Sequence, residues 1–354
     1  MDRKILVHLC TAQRVHIISS IDKFSSILPD IDHVYLYVGA KEQDKHMYEF
    51  HIDKYKNSKC IFVDKLTDVY SLPLEIKSGM VLSHGFSYRD CFSLKMRGFK
   101  NVYWICWGES VVAGSSLISR LYRPIKKMMM KQLNGIIALM GPDKERLMQN
   151  FSLTNVDYIS YPSVVNDSHF NEDFFEADTI NHRILLGNNT DCIPYHGVVL
   201  EKLKKFAGKV KIDCLLNYSL VKDDKFYTLY NTGKQYFGDD FNVIESFMSQ
   251  DEYIDFLKRY DVYICNMPEQ TGLGATHRCL RLGKKLFLCG ANYDYAKQIG
   301  CYIGHVQDLD TVTYEEFITP LSLEQKVHNL NSVNDILDSN VVTSKWYQYI
   351  KNHI

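Results

Sequence analysis

The chain has no CxxC pair, no Walker-type GxxxxGK[ST] stretch and no apolar run of the ~18 residues that a bilayer span needs. Its ten cysteines are scattered singly, several of them in apolar runs, as Cys106, Cys265 and Cys289 are. That excludes a zinc-ribbon or disulfide framework and points to buried thiols in a reducing compartment. The missing Walker motif excludes a P-loop nucleotidase. The start, MDRKILVHLC, is interrupted by Gln13 and Arg14 and lacks a signal-peptide h-region, so a cytoplasmic protein is expected. Neither charge sign is in excess: 41 basic and 42 acidic residues leave a net charge of −1, which argues against a general nucleic-acid binder. Low-complexity tracts and short-period repeats are also missing.

What is present is apolar residues (46%) in a chain of 354, enough for two packed cores. Short β-rich runs recur at 4–9, 33–38, 60–63, 79–83, 101–106, 135–139 and 156–160. They recur again at 182–187, 209–216, 241–244, 261–266, 284–289 and 301–306. Helix-length stretches between them include 88–97, 142–151, 195–206, 250–259, 276–282 and 323–337. Such alternation predicts parallel sheets covered on both faces. The segment from Tyr161 to His182, with Pro162 and an acidic cluster, reads as a linker. The expected organisation is an N-terminal Rossmann-like domain over 1–165 and a C-terminal one over 180–340. A last helix, within 341–354, could pack back on the first. In this α/β architecture ligands bind at the carboxyl ends of the strands, in a cleft between the two halves.

Two strand-to-helix turns carry the strongest hint of chemistry. HRILLGNNTD ends a strand in Gly187, Asn188, Asn189, Thr190 and Asp191, which allow close backbone approach to an anion at the next helix start. An ordinary capped turn is the bland alternative. DVYICNMPEQTGLGATH repeats the device, with Glu269, Gln270, Thr271, Gly272 and Gly274 in the loop and Arg278 on the helix. His277 stands where a GxGxxG fingerprint needs its third glycine. A diphosphate held by loop N–H groups, Thr271 and Arg278 is the functional reading, and a structural loop the alternative.

In the first half, His84 closes a strand run and either projects toward the ligand or packs. Trp107 and Glu109 follow the strand NVYWIC. Trp107 could stack on a sugar, and Glu109 could act as a base or cap the next helix. Between Glu109 and Asp143 there is no acidic residue, while Arg120, Arg123, Lys126, Lys127 and Lys131 fall there. With Leu117, Leu121, Ile125 and Met128 at helical spacing, this segment suits an anionic membrane surface or a lipid-linked pyrophosphate. A solvated surface helix is the other reading.

With these motifs in order, namely HG at 84–85, W-x-x-WG at 104–108, LISRLYRPIKK, LLGNNTD with His196 after it, and QTGLG at 270–274, the chain resembles a bacterial transferase family. It is the 4-acetamido-4,6-dideoxygalactose (Fuc4NAc) transferase family of enterobacterial common antigen synthesis, also labelled 4-alpha-L-fucosyltransferase. The resemblance implies a GT-B glycosyltransferase with its nucleotide-sugar donor mainly in the C-terminal domain and its acceptor mainly in the N-terminal one. It implies no bound metal and no cofactor beyond a dTDP-linked donor substrate. Its partner would be an undecaprenyl-diphosphate-linked saccharide at the cytoplasmic face of the inner membrane, in surface polysaccharide or O-antigen synthesis. His84 or Glu109 would then serve as catalytic base. The turns at Gly187 and Gln270 would hold the donor diphosphate, with Tyr218 stacking on the base or closing the donor pocket. Glu269 as a ribose ligand comes from general GT-B chemistry and not from the family motif. The alternatives are a nucleotide-sugar epimerase of similar architecture and a non-catalytic nucleotide-sugar-binding partner.

Overall fold

The computed structural model describes residues 4–11, 23–108, 111, 117–162, 170, 175, 182–187, 192–216, 221–246 and 248–354. Glu109, Asn188, Asn189, Thr190 and Tyr218, all expected site residues, lie outside this set. So does most of the stretch read as a linker. The chain divides into two compact units, Met1–Val164 with Ile336–Ile354, and Val165–Asp335.

The first unit holds seven strands: β1 (Ile5–Thr11), β2 (Asp32–Val38), β3 (Ser58–Val63), β4 (Met80–His84), β5 (Asn101–Cys106), β6 (Gly135–Ala138) and β7 (Val156–Tyr158). They form one parallel sheet in the order β3-β2-β1-β4-β5-β6-β7. The helices between them are α1 (Lys23–Ile27), α2 (Lys45–Ile52), α3 (Leu74–Ser78), α4 (Tyr88–Met96), α5 (Leu117–Lys131) and α6 (Gly141–Phe151). In β1, Val7 and Leu9 face a core that includes Val34, Val81, Val102 and Trp104. Leu6 faces the opposite one, with Phe24, Leu82 and Ile105. Burial on both faces is why these strands read as continuous apolar runs and not as alternating ones.

The second unit holds β8 (Arg183–Leu186), β9 (Lys211–Leu215), β10 (Phe241–Ile244), β11 (Val262–Cys265), β12 (Lys285–Leu288) and β13 (Gly304–His305), in the order β10-β9-β8-β11-β12-β13. Its helices are α7 (Ile193–Leu203), α8 (Asp224–Phe237), α9 (Gln250–Lys258), α10 (Leu273–Arg281), α11 (Gly290–Gln298), α12 (Tyr314–Ile318) and α13 (Leu323–Leu337). The last helix, α14 (Ser339–His353), belongs to the first unit, where Val342, Trp346, Tyr349 and Ile350 join the core around Leu6 and Phe24. The Trp346 indole donates to the Ser160 carbonyl at 2.9 Å, which fixes that helix to the end of the sheet.

Every expected strand run contains a strand, although 301–306 shortens to two residues and 156–160 ends at Tyr158. Three helices of eight residues or more, α2, α8 and α11, had no sequence expectation. In α8, Asp223 caps the start by accepting from the Lys225 and Phe226 amides, and Gly238 (φ +56) ends it. The aromatic content of FYTLYNTGKQYF disguises this helix, because it lowers intrinsic helix propensity. In each unit the chain lays its first three strands outward in one direction and returns to place the fourth beside the first. The switch points therefore lie between β1 and β4 and between β8 and β11, where open parallel sheets take their ligands.

Candidate active site

At the second switch point, Gly187 follows β8 with φ +70 and donates its N–H to the Ile264 carbonyl of β11 at 2.8 Å. A Cβ there would stand 2.2 Å from Cε1 and 2.4 Å from Nε2 of His196, so the imidazole lies directly against the glycine. His196 is on α7 and fully buried, and among the described residues neither ring nitrogen has a hydrogen-bond partner. Burial holds its pKa down at about 3, so the ring is neutral, with one donor and one acceptor nitrogen. Leaving such a group unpaired is costly, and a ligand polar group would relieve that cost.

Asn266, just past β11, ties this turn to its neighbours. Its Nδ2 donates to the Tyr195 carbonyl on α7 at 3.1 Å, while its Oδ1 accepts from the Cys289 thiol at 3.1 Å. The loop that follows is pinned from α11. Asn292 accepts from the Thr271 amide at 3.3 Å and donates to the Thr271 carbonyl at 2.5 Å and to the Thr276 hydroxyl at 3.2 Å. Gly290 (φ +58) permits the closest approach, since a Cβ there would meet the Pro268 carbonyl oxygen at 2.3 Å. Gly272, left-handed at φ +55 and ψ 35, opens α10 with no side chain capping its first turn. Beside it the Gln270 Oε1 is buried and unpartnered. Free helix N–H groups, an unpaired amide oxygen and an unpaired imidazole at adjacent strand ends suit a ligand carrying both phosphate and hydroxyl groups.

His277 does not face this turn. Its Nε2 lies 3.0 Å from the Tyr295 hydroxyl of α11, and its ring is buried and held at about 3, first by burial and then by Arg278 and Arg281. The third-glycine position is thus a helix-packing residue. Arg278 curls back, its Nη1 donating to the Gly274 carbonyl at 3.1 Å with the guanidinium 5.8 Å from the Tyr253 ring centroid. Arg281 is buried over Phe170, at 4.1 Å. Glu269 is half-buried in the loop.

At the first switch point His84 ends β4, buried completely, and both its nitrogens are engaged. Nδ1 lies 2.6 Å from the Tyr161 hydroxyl and Nε2 lies 3.2 Å from His8 Nδ1. The row continues from His8 Nε2 to His33 Nδ1 at 3.0 Å, and from His33 Nε2 to the Leu28 carbonyl at 3.0 Å. Burial lowers the pKa of all three rings, that of His84 to about 3. Beyond His84 in the row stands Tyr161, half-buried, with its ring 5.3 Å from that of Trp107. Trp104, by contrast, is core, its indole donating to the Phe86 carbonyl at 2.9 Å.

The basic segment forms α5, with Pro124 inside it. Ile118, Leu121, Tyr122, Ile125 and Met128 are 69%, 75%, 56%, 45% and 47% exposed, so among the described residues this apolar stripe is left uncovered. Arg120 and Arg123 are exposed beside it and Lys127 is half-exposed, with Arg123 also donating to the Asn150 carbonyl at 2.9 Å. Lys126 departs from the expected basic face, since its ammonium lies over the Phe151 and Tyr88 rings at 4.7 and 5.5 Å. Among the described residues no group of three or more His, Cys, Asp or Glu side chains is placed to hold a metal ion, and no helix is long and apolar enough to cross a membrane.

The family described as 4-alpha-L-fucosyltransferase glycosyl transferase group 56 matches residues 25–293. The chain belongs to that family. Solved structures agree on the fold. A glycosyltransferase from Rickettsia africae superposes with a TM-score of 0.68 at 12% identity, over 99% of both chains. Anabaena HepE in complex with UDP and glucose gives 0.69 at 8%, over 99% of this chain and 100% of its own. An E. coli trehalose-6-phosphate protein bound with UDP-2-fluoro glucose gives 0.66 at 9%, over 99% and 100%. A comparison with curated protein sequences gives no match. The group 56 chain is thus a glycosyltransferase of GT-B fold.

Sequence reading did not single out His8, His33, Tyr161, Asn266 or Asn292, and it quoted His196 without giving it a role. The available signal was polar residues inside or just beyond apolar runs, as His8 in KILVHL and Asn266 after DVYIC are. No spacing rule links residues 8, 33, 84 and 161, because only the strand order brings them together.

Proposed function

We propose that this group 56 transferase moves a deoxy(amino)sugar, Fuc4NAc or a related 6-deoxyhexose, from a dTDP-linked donor to an undecaprenyl-diphosphate-linked saccharide in bacterial surface polysaccharide synthesis. The observation that carries the donor half is the second switch point. Two adjacent turns there leave the His196 nitrogens and the Gln270 Oε1 buried and unpaired beside an uncapped helix start. In this reading the departing diphosphate receives backbone N–H groups at Gly187 to Thr190 and at Gln270 to Gly274, with Thr271 contributing its hydroxyl. Stabilising that leaving charge is the larger electrostatic term of catalysis. Arg278 joins only by letting go of the Gly274 carbonyl. Tyr218 stacks on the base and Glu269 meets the ribose.

The acceptor half rests on Trp107 and Tyr161 at the first switch point, with His84 behind them and Glu109 as the competing base. Alpha helix α5 supports a lipid-linked acceptor, because an exposed apolar stripe flanked by Arg120, Arg123 and Lys127 complements an anionic bilayer surface. In this reading the enzyme works peripherally at the cytoplasmic face of the inner membrane.

The deciding measurement is a thermal-shift screen against dTDP-, UDP- and GDP-sugars, followed by nucleotide release with a polyprenyl-diphosphate saccharide. Selective stabilisation by dTDP-sugars and acceptor-dependent release are expected. Conversion of the free nucleotide sugar without an acceptor would instead indicate an epimerase, and binding without any turnover a non-catalytic partner. Intact nucleotide affinity and turnover in Gly272→Val and Arg278→Ala would refute the donor-site assignment.

A further inference from the structure

The direction of every hydrogen bond in the row from Tyr161 to Leu28 is set by its last member. The Leu28 carbonyl can only accept, so His33 carries its proton on Nε2. A neutral His33 then presents a lone pair at Nδ1, and His8 must donate to it from Nε2. His8 Nδ1 in turn accepts from His84 Nε2, and His84 Nδ1 accepts the Tyr161 hydroxyl proton. All three rings are therefore Nε2–H tautomers, and the row has one polarity. It crosses the sheet obliquely, from the carboxyl end of β4 through β1 to the amino end of β2, with its three rings buried and Tyr161, at its head, half-buried.

We propose that Tyr161, His84, His8 and His33 form a one-way proton relay that opens at Tyr161 and stores the acceptor's proton on His33. This rests on the glycosyl-transfer reading above. As the acceptor oxygen attacks the anomeric carbon, its O–H bond breaks and the proton passes to Tyr161 Oη. The tyrosine's own proton moves to His84 Nδ1, the His84 Nε2 proton to His8 Nδ1, and the His8 Nε2 proton to His33 Nδ1. The acceptor oxygen's electron pair forms the glycosidic bond, while the bond from the anomeric carbon to the diphosphate breaks with its pair on the diphosphate. His33 ends as imidazolium, still donating from Nε2 to Leu28, and the row resets by returning the proton through Tyr161. Tyr161 alone touches the acceptor. His84, His8 and His33 are positioning residues that act through it.

The surroundings favour His33 as the charged member. Asp32 is adjacent on β2, and Asp32 and the Leu28 carbonyl both oppose the burial that lowers this ring's pKa. His8 has imidazoles on both sides, and each disfavours a charge there. The other groups facing the row are Tyr35, stacked on His8 at 4.4 Å, and Cys10 at the Tyr161 end. Helices α1 and α14 present Phe24, Ser25 and Trp346.

The test combines imidazole 15N NMR of the full chain with one conservative variant. At pH 8 all three rings should be Nε2–H tautomers, and on acidification His33 should become imidazolium before His8 and His84. His33→Gln keeps an acceptor for His8 and a donor for Leu28 but cannot take a proton. It should fold, keep its stabilisation by the best-binding sugar nucleotide, and lose turnover by about tenfold or more. An Nδ1–H tautomer at His8 or His84, earlier protonation of either, or full turnover in His33→Gln overturns the relay. A parent inactive with every sugar nucleotide sinks the transferase reading instead, and the tautomers alone then decide whether the row has its single polarity.

Discussion

The two units share one strand order and differ in what they place at the same point of it. From the carboxyl end of β4 through β1 to the amino end of β2 the first unit buries three imidazoles whose nitrogens are all satisfied, in a row that ends at the half-buried Tyr161. Between β8 and β11 the second unit puts glycines at positive φ and leaves buried nitrogens and an amide oxygen unpaired. A completed hydrogen-bond network stabilises the protein and can pass a proton along it. An incomplete one is held open for a ligand. On the readings proposed above, the same topology would serve proton handling in one half and anion handling in the other, with side chains making the difference.

The sharpest way to break this contrast is to fill the open turn. Gly187→Ala forces a Cβ into the His196 ring at a backbone angle that L-residues rarely adopt, at a cost of about 3 kcal/mol in the second unit. Denaturant titration should show this loss, and the double variant with His196→Ala should recover part of it. Strict additivity of the two changes would mean that ring and glycine are not in contact.

Interrupting the closed row comes next. His8→Leu leaves His84 and His33 each short of one partner, which costs about 2 kcal/mol through unpaired buried nitrogens. The effect should appear as a lower unfolding midpoint with unchanged stabilisation by nucleotide sugars, if those bind the other unit as proposed. A lost nucleotide effect in His8→Leu would mean that the two halves do not divide the work this way.

Acid separates the halves further. Each of these rings has its pKa lowered in the folded chain, so the unfolded chain binds more protons between the folded value and about 6.5. Stability is therefore complete above pH ~6.5 and falls as the pH drops toward the folded values, by about 1.4 kcal/mol per pH unit per ring. Among the described residues the first unit carries three such rings, His8, His33 and His84, and the second carries His196 and His277. Hydrogen exchange between pH 7 and 5 should show β1, β2 and β4 losing protection more steeply than β8, β11 and β12. Equal slopes would contradict the assignment of charge-free rings to these sites.

The same contrast decided what could be read from the sequence. Glycine turns announce themselves, because a strand that ends in GNNTD or PEQTGLG shows its conformational need in consecutive letters. The alternating apolar runs likewise made both parallel sheets legible. His8 and His33 show nothing in consecutive letters. Each is a lone polar residue near an apolar strand, and only the register of β1 with β2 and with β4 gives it a partner. His277 was misleading for the opposite reason, since its position in GLGATH belongs to a motif whereas its side chain belongs to the packing of α10 on α11. Asn292, which pins the donor loop, lies about twenty residues beyond that loop, where no local pattern points to it.

The smallest expected effect on stability lies on α5, outside both switch points. Leu121→Glu and Ile125→Glu replace side chains 75% and 45% exposed, so little packing is lost, and unfolding free energy should change by less than about 0.5 kcal/mol. If the stripe meets a bilayer, the same changes remove buried apolar area and add charge that anionic lipid repels, so membrane affinity should fall steeply. Sedimentation with vesicles containing phosphatidylglycerol should lose the double variant by about tenfold relative to the parent. Lys126→Ala should matter much less, because that ammonium is turned onto the Phe151 ring and away from the stripe. Equal sedimentation of parent and double variant would detach α5 from the lipid reading and leave both switch points as they stand.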